Sequence, residues 1–222
     1  MTATRPPVTR EAVVSTALAL LADGGLEAVS FRRIATQLGV SAPTLYWHVE
    51  SKRQLMDLMA EALLRPTADA YSEPRPGQPW WEWLRTDARQ MFALLISTRD
   101  APRVVAGNRP SAESFGGIER VLAVLVRAGM TPGEAQQTLF ALGAYVIGSA
   151  TEWQAEAERQ RSRPLPDPDD DELDARRVEV LIEQTVLDAA IQELLHQPHT
   201  AAFEYGLDLL IDGLRARHAL RS

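Results

Sequence analysis

The chain has 222 residues, of which 45% are hydrophobic, enough for one small and one larger domain with buried cores. It contains no cysteine, which excludes disulfides and thiolate metal sites, and no run of eighteen apolar residues that would cross a membrane. The net charge of −7 disfavours nucleic-acid binding only if it is evenly spread. Residues 1–66 hold seven Arg and Lys against six Asp and Glu, so the acidic excess lies beyond them, above all in 167–174. Since local charge decides phosphate binding, residues 1–66 remain suited to DNA.

The first segments in chain order predict two capped helices. Residues 1–8 contain two prolines and read either as an arm for a DNA minor groove or as a flexible tail. They lack the apolar segment of a secretory signal, so we expect the protein in the cytoplasm. Thr9 is placed to cap a helix that Gly24 and Gly25 end, and Ser30 is placed to cap the next helix.

Residues 31–49 predict two short helices joined by a tight turn. Gly39 stands where a helix ends in the left-handed conformation, and Ser41 is a good N-cap for the second helix. Pro43 falls in the first turn, where its missing N–H costs little, and Leu45 points back at the first helix. This is the helix-turn-helix arrangement, which places its second helix in the major groove. The residues expected to face outward are Ala42, Pro43, Thr44, Tyr46, Trp47 and His48.

The outward aromatic residues favour DNA binding over a purely structural role. A structural helix seldom exposes Tyr, Trp and His side by side, whereas a helix in a major groove uses them on phosphates and thymine methyl groups. Four basic residues flank the same surface: Arg32, Arg33, Lys52 and Arg53. The alternative is a three-helix bundle whose aromatic side chains are covered by a neighbouring domain.

The remainder of the chain predicts helices and loops, without the alternation typical of strands. Prolines at positions 66, 74, 76 and 79 predict a loop, and the Pro- and Asp-rich residues 161–171 predict another. The predicted helices after the motif are 52–64, 80–97, 100–106, 111–128, 132–158, 173–196 and 200–220. We therefore predict an all-α chain with a DNA-binding domain at 1–66 and a larger effector and dimerisation domain at 67–222.

At these residues the chain resembles the tetracycline repressor (TetR) family. Residues 43–49, Pro-Thr-Leu-Tyr-Trp-His-Val, followed by Ser-Lys-Arg at 51–53, are similar to the recognition helix and fourth helix of that family. Trp81 to Leu84, Arg99-Asp100 and residues 107–110 follow the order of its tetracycline-repressor-like C-terminal subgroup. The resemblance implies a transcriptional regulator, a repressor that a small molecule releases from a palindromic DNA operator.

The resemblance also assigns DNA-binding roles to single residues. Arg32 corresponds to an arginine that grips a guanine edge, and Pro43 and Thr44 correspond to base-contacting positions. The groups expected to face phosphates or to support the helix are Tyr46, Trp47, His48 and Lys52. Ala42 stands where the family has a glutamine, so one adenine contact is missing and we expect a different operator sequence.

A homodimer through two C-terminal helices is implied as well. The helix after Thr131 carries small residues that let helices approach closely: Ala141, Gly143, Ala144, Gly148, Ser149 and Ala150. The last helix carries a stripe of Phe203, Gly206, Leu207, Leu210, Ile211 and Leu214. The alternative is that both sets form an ordinary core within one chain. A two-fold dimer reads two half-sites about one helical turn apart.

Ten residues of the C-terminal domain are candidates for an effector pocket. They are Asp87, Met91, Val105, Asn108, Arg109, Phe115, Tyr145, Ser149, Glu152 and Trp153. Arg109, which lies at a helix break, is the foremost of them. The alternative for each is a place in the core or on the surface, because apolar stripes at helical spacing belong more often to cores than to binding sites.

The same resemblance disfavours a complex of tetracycline and magnesium as the ligand. Val105 and Ala68 stand where tetracycline-binding members have metal-ligand histidines, and Asp87 stands where they have an asparagine that grips the drug. Met91 replaces a phenylalanine, and Asn108 replaces a threonine. We therefore predict a different, mostly apolar effector, with no cofactor and no metal held by the protein.

Two other functions stay open at this point. A ligand-independent DNA-binding regulator controlled by a protein partner shares every N-terminal feature. An enzyme tethered to DNA is disfavoured, because the sequence has no Gly-rich phosphate loop and no histidine cluster with metal-ligand spacing. His196 and His199 are separated by Pro198, which breaks the helix that would align them.

Overall fold

The computed structural model of the chain describes residues 8–70, 73–162, 185–195, 197–198 and 200–219. Within these ranges it confirms the predicted all-α fold, with helices and turns but no β-strand. The α-helices are α1 Arg10–Gly24, α2 Phe31–Leu38, α3 Ala42–Leu45, α4 Lys52–Ala70, α5 Trp80–Ser97, α6 Ala101–Val105, α7 Phe115–Arg127, α8 Pro132–Ser162, α9 Thr185–Leu195 and α10 Ala201–Ala219. None of the helices in this part of the chain has both the length and the apolar character to span a bilayer.

Several sequence predictions fall outside the described residues. They concern the arm at 1–7, the predicted loop from residue 163 onward, the predicted helix over 173–184, and the histidines at positions 196 and 199.

Capping groups begin and end the N-terminal helices as predicted. The Thr9 hydroxyl accepts a hydrogen bond from the N–H of Ala12 at 3.2 Å. The Ser30 hydroxyl accepts one from the N–H of Arg33 at 3.3 Å. Gly39 ends α2 with φ 62°, a left-handed conformation that glycine adopts at little cost.

Helix α4 connects the three N-terminal helices to the rest of the chain. It packs against α1 in the N-terminal part and against α5 and α6 in the C-terminal body. Its Leu55 and Met59 side chains are buried in the continuous core. One helix therefore runs from the end of the predicted DNA-reading motif into the C-terminal body.

The prediction that Pro66 begins a loop is wrong, because α4 continues through it to Ala70. A proline inside a helix removes one backbone hydrogen bond and usually kinks or ends the helix, yet α4 runs four residues past Pro66. Helix α4 consequently crosses residue 66, where the sequence suggested a domain boundary.

Two predicted helix boundaries in the C-terminal body also differ. Ser111 does not open an α-helix, because a 3-10 turn at Ala112–Ser114 comes first and α7 begins at Phe115. Helix α8 extends to Ser162 rather than ending near residue 158, so the predicted loop at 161 begins inside a helix. Ion pairs between side chains three residues apart support this last turn: Glu156 with Arg159, and Glu158 with Arg161.

Helix α10 packs against α5 and α8 and fills the core of the C-terminal body. The ring of Phe203 stacks on Phe92 with centroids 3.9 Å apart, and the Tyr145 hydroxyl donates to the Phe203 carbonyl at 2.9 Å. Leu207 and Ile211 are fully buried. The prediction that Phe203, Leu207 and Ile211 form a dimer interface is therefore wrong, because α10 turns this face toward its own chain.

Candidate nucleic-acid interface and effector cavity

The recognition element, residues 42–48, is a single α-helical turn continued by a hydrogen-bonded turn. Leu45 and Val49 are fully buried and fix the element against the core. Ser41 stands at the N-cap, but its hydroxyl lies 2.8 Å from the Thr44 hydroxyl instead of binding a backbone N–H. The element is thus anchored by apolar burial more than by capping.

Two aromatic side chains stand on the outer face of this element. Trp47 is 88% exposed and Tyr46 is 53% exposed, so no described segment covers them, contrary to the three-helix-bundle alternative. Arg32, Pro43 and Lys52 are exposed as well. Ala42, Thr44 and His48 are half-buried, so the prediction that they face outward holds only in part. They lie three residues before, one before and three after the buried Leu45, so their side chains are partly covered by the core on which Leu45 packs.

Two contacts from α1 and α2 hold the recognition element. The Tyr46 ring stacks on Phe31, with centroids 4.8 Å apart and ring planes at 14°. Arg10 Nε donates to the carbonyl oxygen of His48 at 3.2 Å. Because Arg32 follows Phe31 directly, the stack also joins the predicted guanine-reading residue to the recognition element.

A cavity of about 610 Å³ lies between α4, α5, α7, α8 and the segment leading into α7. Its volume suits a drug-sized molecule. The apolar residues with larger side chains around it are Leu64, Met91, Pro110, Ile118, Val121, Leu139, Leu142 and Val146. Its ionisable residues are Glu61, Arg65, Asp87, Glu113 and Arg120. Among the residues that the structure describes, neither a histidine nor an aromatic side chain lines the cavity.

The predicted ligand-binding residues do not come together at one place. Asp87, Met91 and Asn108 line the cavity. Ser149, Glu152 and Trp153 instead line a separate cavity of about 400 Å³, formed with Phe92 and Phe203.

The other four candidates lie outside both cavities. Val105 is buried in the core, and Phe115 is 57% exposed. Arg109 is exposed and donates its backbone N–H to Asp57 Oδ1 at 3.2 Å. Tyr145 binds carbonyl groups at the start of α10. The structure therefore does not support pocket roles for these four side chains, Arg109 included.

Three side chains of α4, spaced four residues apart, hold the loop 107–111 at the edge of the cavity. The pairs are Arg53 with the carbonyl of Gly107, Asp57 with the N–H of Arg109, and Glu61 with the N–H and hydroxyl of Ser111. Glu61 is also a wall of the cavity. Sequence reasoning missed Glu61, although its place four residues after Asp57 put both carboxylates on one helix face.

Comparison with known proteins gives matches along most of the chain. Residues 13–59 match the bacterial regulatory proteins of the tetR family, and residues 73–218 match the tetracyclin repressor-like C-terminal domain. The tetracycline repressor protein class C of Escherichia coli is 36% identical over 205 residues, which is 92% of this chain and 90% of that protein. The HTH-type transcriptional repressor DrrR1 of Streptomyces coeruleorubidus is 28% identical over 225 residues, 98% of this chain and 81% of that protein.

Solved structures share the fold. ActR of Streptomyces coelicolor in complex with actinorhodin has a TM-score of 0.75 and 25% identity, covering 96% of this chain and 99% of that chain. TetR of Acinetobacter baumannii AYE has a TM-score of 0.70 and 32% identity, covering 96% and 99%. These relatives regulate transcription, which sets aside the alternative of an enzyme. The chain therefore belongs to the tetR family of bacterial regulatory proteins and is a DNA-binding transcriptional regulator of the kind that responds to small molecules.

Proposed function

We propose that two copies of this chain form a repressor that leaves a palindromic operator when a mostly apolar small molecule fills the 610 Å³ cavity. The position of α4 carries this proposal. The helix begins at Lys52, just after the recognition element, and its Glu61 and Leu64 line the cavity. One helix thus links the space for the effector to the surface for DNA.

On the DNA side, the exposure of Arg32, Pro43, Tyr46, Trp47 and Lys52 supports the roles that the family resemblance suggested, while Ala42, Thr44 and His48 are half-buried. The guanidinium of Arg32 makes a bidentate contact with a guanine edge, and Pro43 and Thr44 face bases. The residues assigned to phosphates or to support of the element are Tyr46, Trp47, His48 and Lys52. Ala42 offers a methyl group, which suits a thymine methyl better than an adenine edge.

The α4 contacts with loop 107–111 supply a route from effector to operator. Asn108, Pro110 and Glu61 are walls of the cavity, so a bound molecule presses on both the loop and α4. A displaced α4 moves the recognition element, and in a dimer the two elements then no longer match successive major grooves. To shift the two conformers from 1:99 to 99:1, the effector must favour the released form by about 5.5 kcal/mol.

We infer that the effector of this cavity is mostly apolar and polycyclic. Eight larger apolar side chains line the cavity and favour apolar rings, and its five ionisable residues offer contacts for the polar groups of a ligand. Related structures contain actinorhodin in ActR and minocycline in an Acinetobacter baumannii TetR variant. We extend polycyclic ligands of that kind to this chain.

The dimer is proposed to form through the outer faces of α8 and α10. Phe140 is 74% exposed on α8, and Tyr205 and Leu209 are 70% and 58% exposed on α10. Gly148 lies eight residues after Phe140, and Gly213 lies four residues after Leu209, so each glycine is close to the exposed stripe of its helix. A Cβ at either glycine would have open space around it, which leaves room for another helix. Exposed apolar stripes of this kind mark contact surfaces, and two copies meeting about a two-fold axis give a four-helix interface.

We further propose that residues 1–66 serve DNA binding and residues 67–222 serve effector binding and dimerisation. The protein then works in the cytoplasm, where its operator lies.

Selection of bound sequences from random DNA by the full chain tests this function. We expect a palindromic site that binds two chains with an affinity that falls steeply with salt, because phosphate contacts release counterions. A panel of polycyclic compounds is then tested for release of that site. Failure to enrich any site contradicts the DNA-binding roles. A palindromic site that no compound releases favours control by a protein partner instead.

A further inference from the structure

The stacked pair of Phe31 and Tyr46 sits between two groups that face DNA. Phe31 is the first residue of α2 and precedes Arg32, while Tyr46 precedes Trp47. We propose that Phe31 is a positioning residue for DNA recognition, which fixes Tyr46 and Trp47 relative to Arg32. This inference rests on the DNA-binding roles proposed above and adds a residue that contacts the recognition element instead of the DNA.

The stack contributes more to placement than to the core. Its ring planes lie at 14° with centroids 4.8 Å apart, yet Tyr46 remains 53% exposed and Phe31 is half-buried. The fully buried Leu45 and Ile34 already supply the apolar anchor between α2 and α3. An exposed tyrosine without a partner would sample several rotamers, and fixing one of them on binding costs entropy. The stack removes that cost before DNA arrives.

Both ends of the exposed segment are held. Ser30 caps α2 through the N–H of Arg33, so the backbone that carries Phe31 is itself fixed. On the other side of Trp47, Arg10 Nε donates to the His48 carbonyl. Trp47, at 88% exposure, therefore projects from a segment whose two neighbouring residues are both tied to other helices.

Removing the Phe31 ring should make the placement of Tyr46 and Trp47 relative to Arg32 less well defined, without abolishing DNA binding. We expect Phe31→Ala to lower affinity for the selected operator about threefold to tenfold, the range of a stacked aromatic pair. Affinity for random DNA should stay within about twofold, because phosphate attraction does not need the fixed spacing. Discrimination at the base pair read by Arg32 should fall together with operator affinity.

A double-mutant cycle tests whether Phe31 acts through Tyr46. Operator and random DNA are titrated with wild type, Phe31→Ala, Tyr46→Ala and the double variant, after thermal unfolding shows that each is folded. In the Tyr46→Ala background, Phe31→Ala should change operator affinity by less than about twofold. Phe31→Tyr should restore the wild-type affinity because it keeps the ring.

Three results would overturn the inference. Phe31→Ala could lower operator affinity equally with and without Tyr46, it could lower affinity for operator and random DNA equally, or it could leave operator affinity unchanged. Should alanine unfold the N-terminal helices, Phe31→Leu keeps apolar bulk without a ring, and the same three outcomes apply. Val126→Ala, an exposed truncation on α7, is the control. If wild type selects no operator, it is the DNA-binding proposal that fails, before any variant is compared.

Discussion

The carboxylate of Asp100 accepts a hydrogen bond from the backbone N–H of Leu26 at 2.8 Å. Leu26 lies in the short turn between α1 and α2, and Asp100 directly precedes α6, so the bond joins the helix-turn-helix motif to the C-terminal body. The N–H of Asp100 in turn donates to the side-chain oxygen of Gln154 on α8 at 3.0 Å. Asp100 also has φ 58°, which among non-glycine residues Asp and Asn tolerate best. Three parts of the fold thus meet at one aspartate.

Asp100→Ala should lower the free energy of unfolding by at least about 2 kcal/mol. The change removes a charged acceptor of a partly buried N–H and places a poorly suited residue in the left-handed region. Asp100→Asn keeps an acceptor oxygen and tolerates the same φ, so it should lower the free energy of unfolding clearly less than Asp100→Ala does. Urea unfolding of the two variants measures the difference. Equal losses would show that the carboxylate contact with Leu26 does not contribute as described.

Arg32→Ala and Lys52→Ala should weaken DNA binding in different ways. Losing Arg32 should cost about 1–3 kcal/mol on the operator and relax specificity at one base pair, since its fork reads a guanine edge. Losing Lys52 should weaken binding to every sequence and reduce the salt slope by about one. Titrations on the operator and on single-base variants, at two salt concentrations, separate the two. Unchanged discrimination in Arg32→Ala would contradict its assignment.

Gly206→Ala should destabilise the protein by about 1–3 kcal/mol through overpacking. An added Cβ would overlap the Tyr145 phenol, whose hydroxyl donates to the carbonyl groups of Ala202 and Phe203. Gly133 is the matched control, because a Cβ there meets no atom within 4 Å. Gly133→Ala should be neutral or slightly stabilising, since alanine favours helix over glycine. Thermal unfolding measures the midpoint temperature of both variants. Similar midpoints for Gly206→Ala and Gly133→Ala would contradict the predicted overlap with Tyr145.

Gly143→Leu should block the effector while leaving operator binding intact. Gly143 lines the 610 Å³ cavity, and a Cβ at this position has open space around it. The leucine therefore occupies volume that the effector needs, without a clash in the free protein. Operator release by active compounds should require at least about tenfold more compound in the variant, a loss of about 1.4 kcal/mol. Gly143→Ala, with its smaller side chain, should respond nearly as wild type does. Normal release in the leucine variant would place the effector elsewhere.

Local chemistry made the N-terminal helices predictable from sequence. Thr9 and Ser30 cap helices, and Gly39 ends one, because these interactions involve residues only a few positions apart. No local signal predicts the continuation of α4 through Pro66, because a proline ordinarily kinks or ends a helix. Local sequence also does not predict the contact of Phe31 with Tyr46, which spans fifteen positions.

The residues of the cavity show the limit of helical periodicity. Leu142 and Val146 face the cavity, and the same stripe continued along α8 leads to Ser149 and Trp153. Those two residues lie beyond the cavity, because α8 is 31 residues long and meets different neighbours along its length. Periodicity predicts which face of a helix is covered, but the neighbour at each turn depends on the tertiary fold.

The exposed stripes of Phe140 on α8 and of Tyr205 and Leu209 on α10 have a consequence for gene control. When the paired form is the one that occupies DNA and single chains predominate, operator occupancy grows with the square of the chain concentration. Halving synthesis of the protein would then cut occupancy of a sparsely filled operator to roughly a quarter. A regulator of this design converts a modest change in its own abundance into a steep change in transcription.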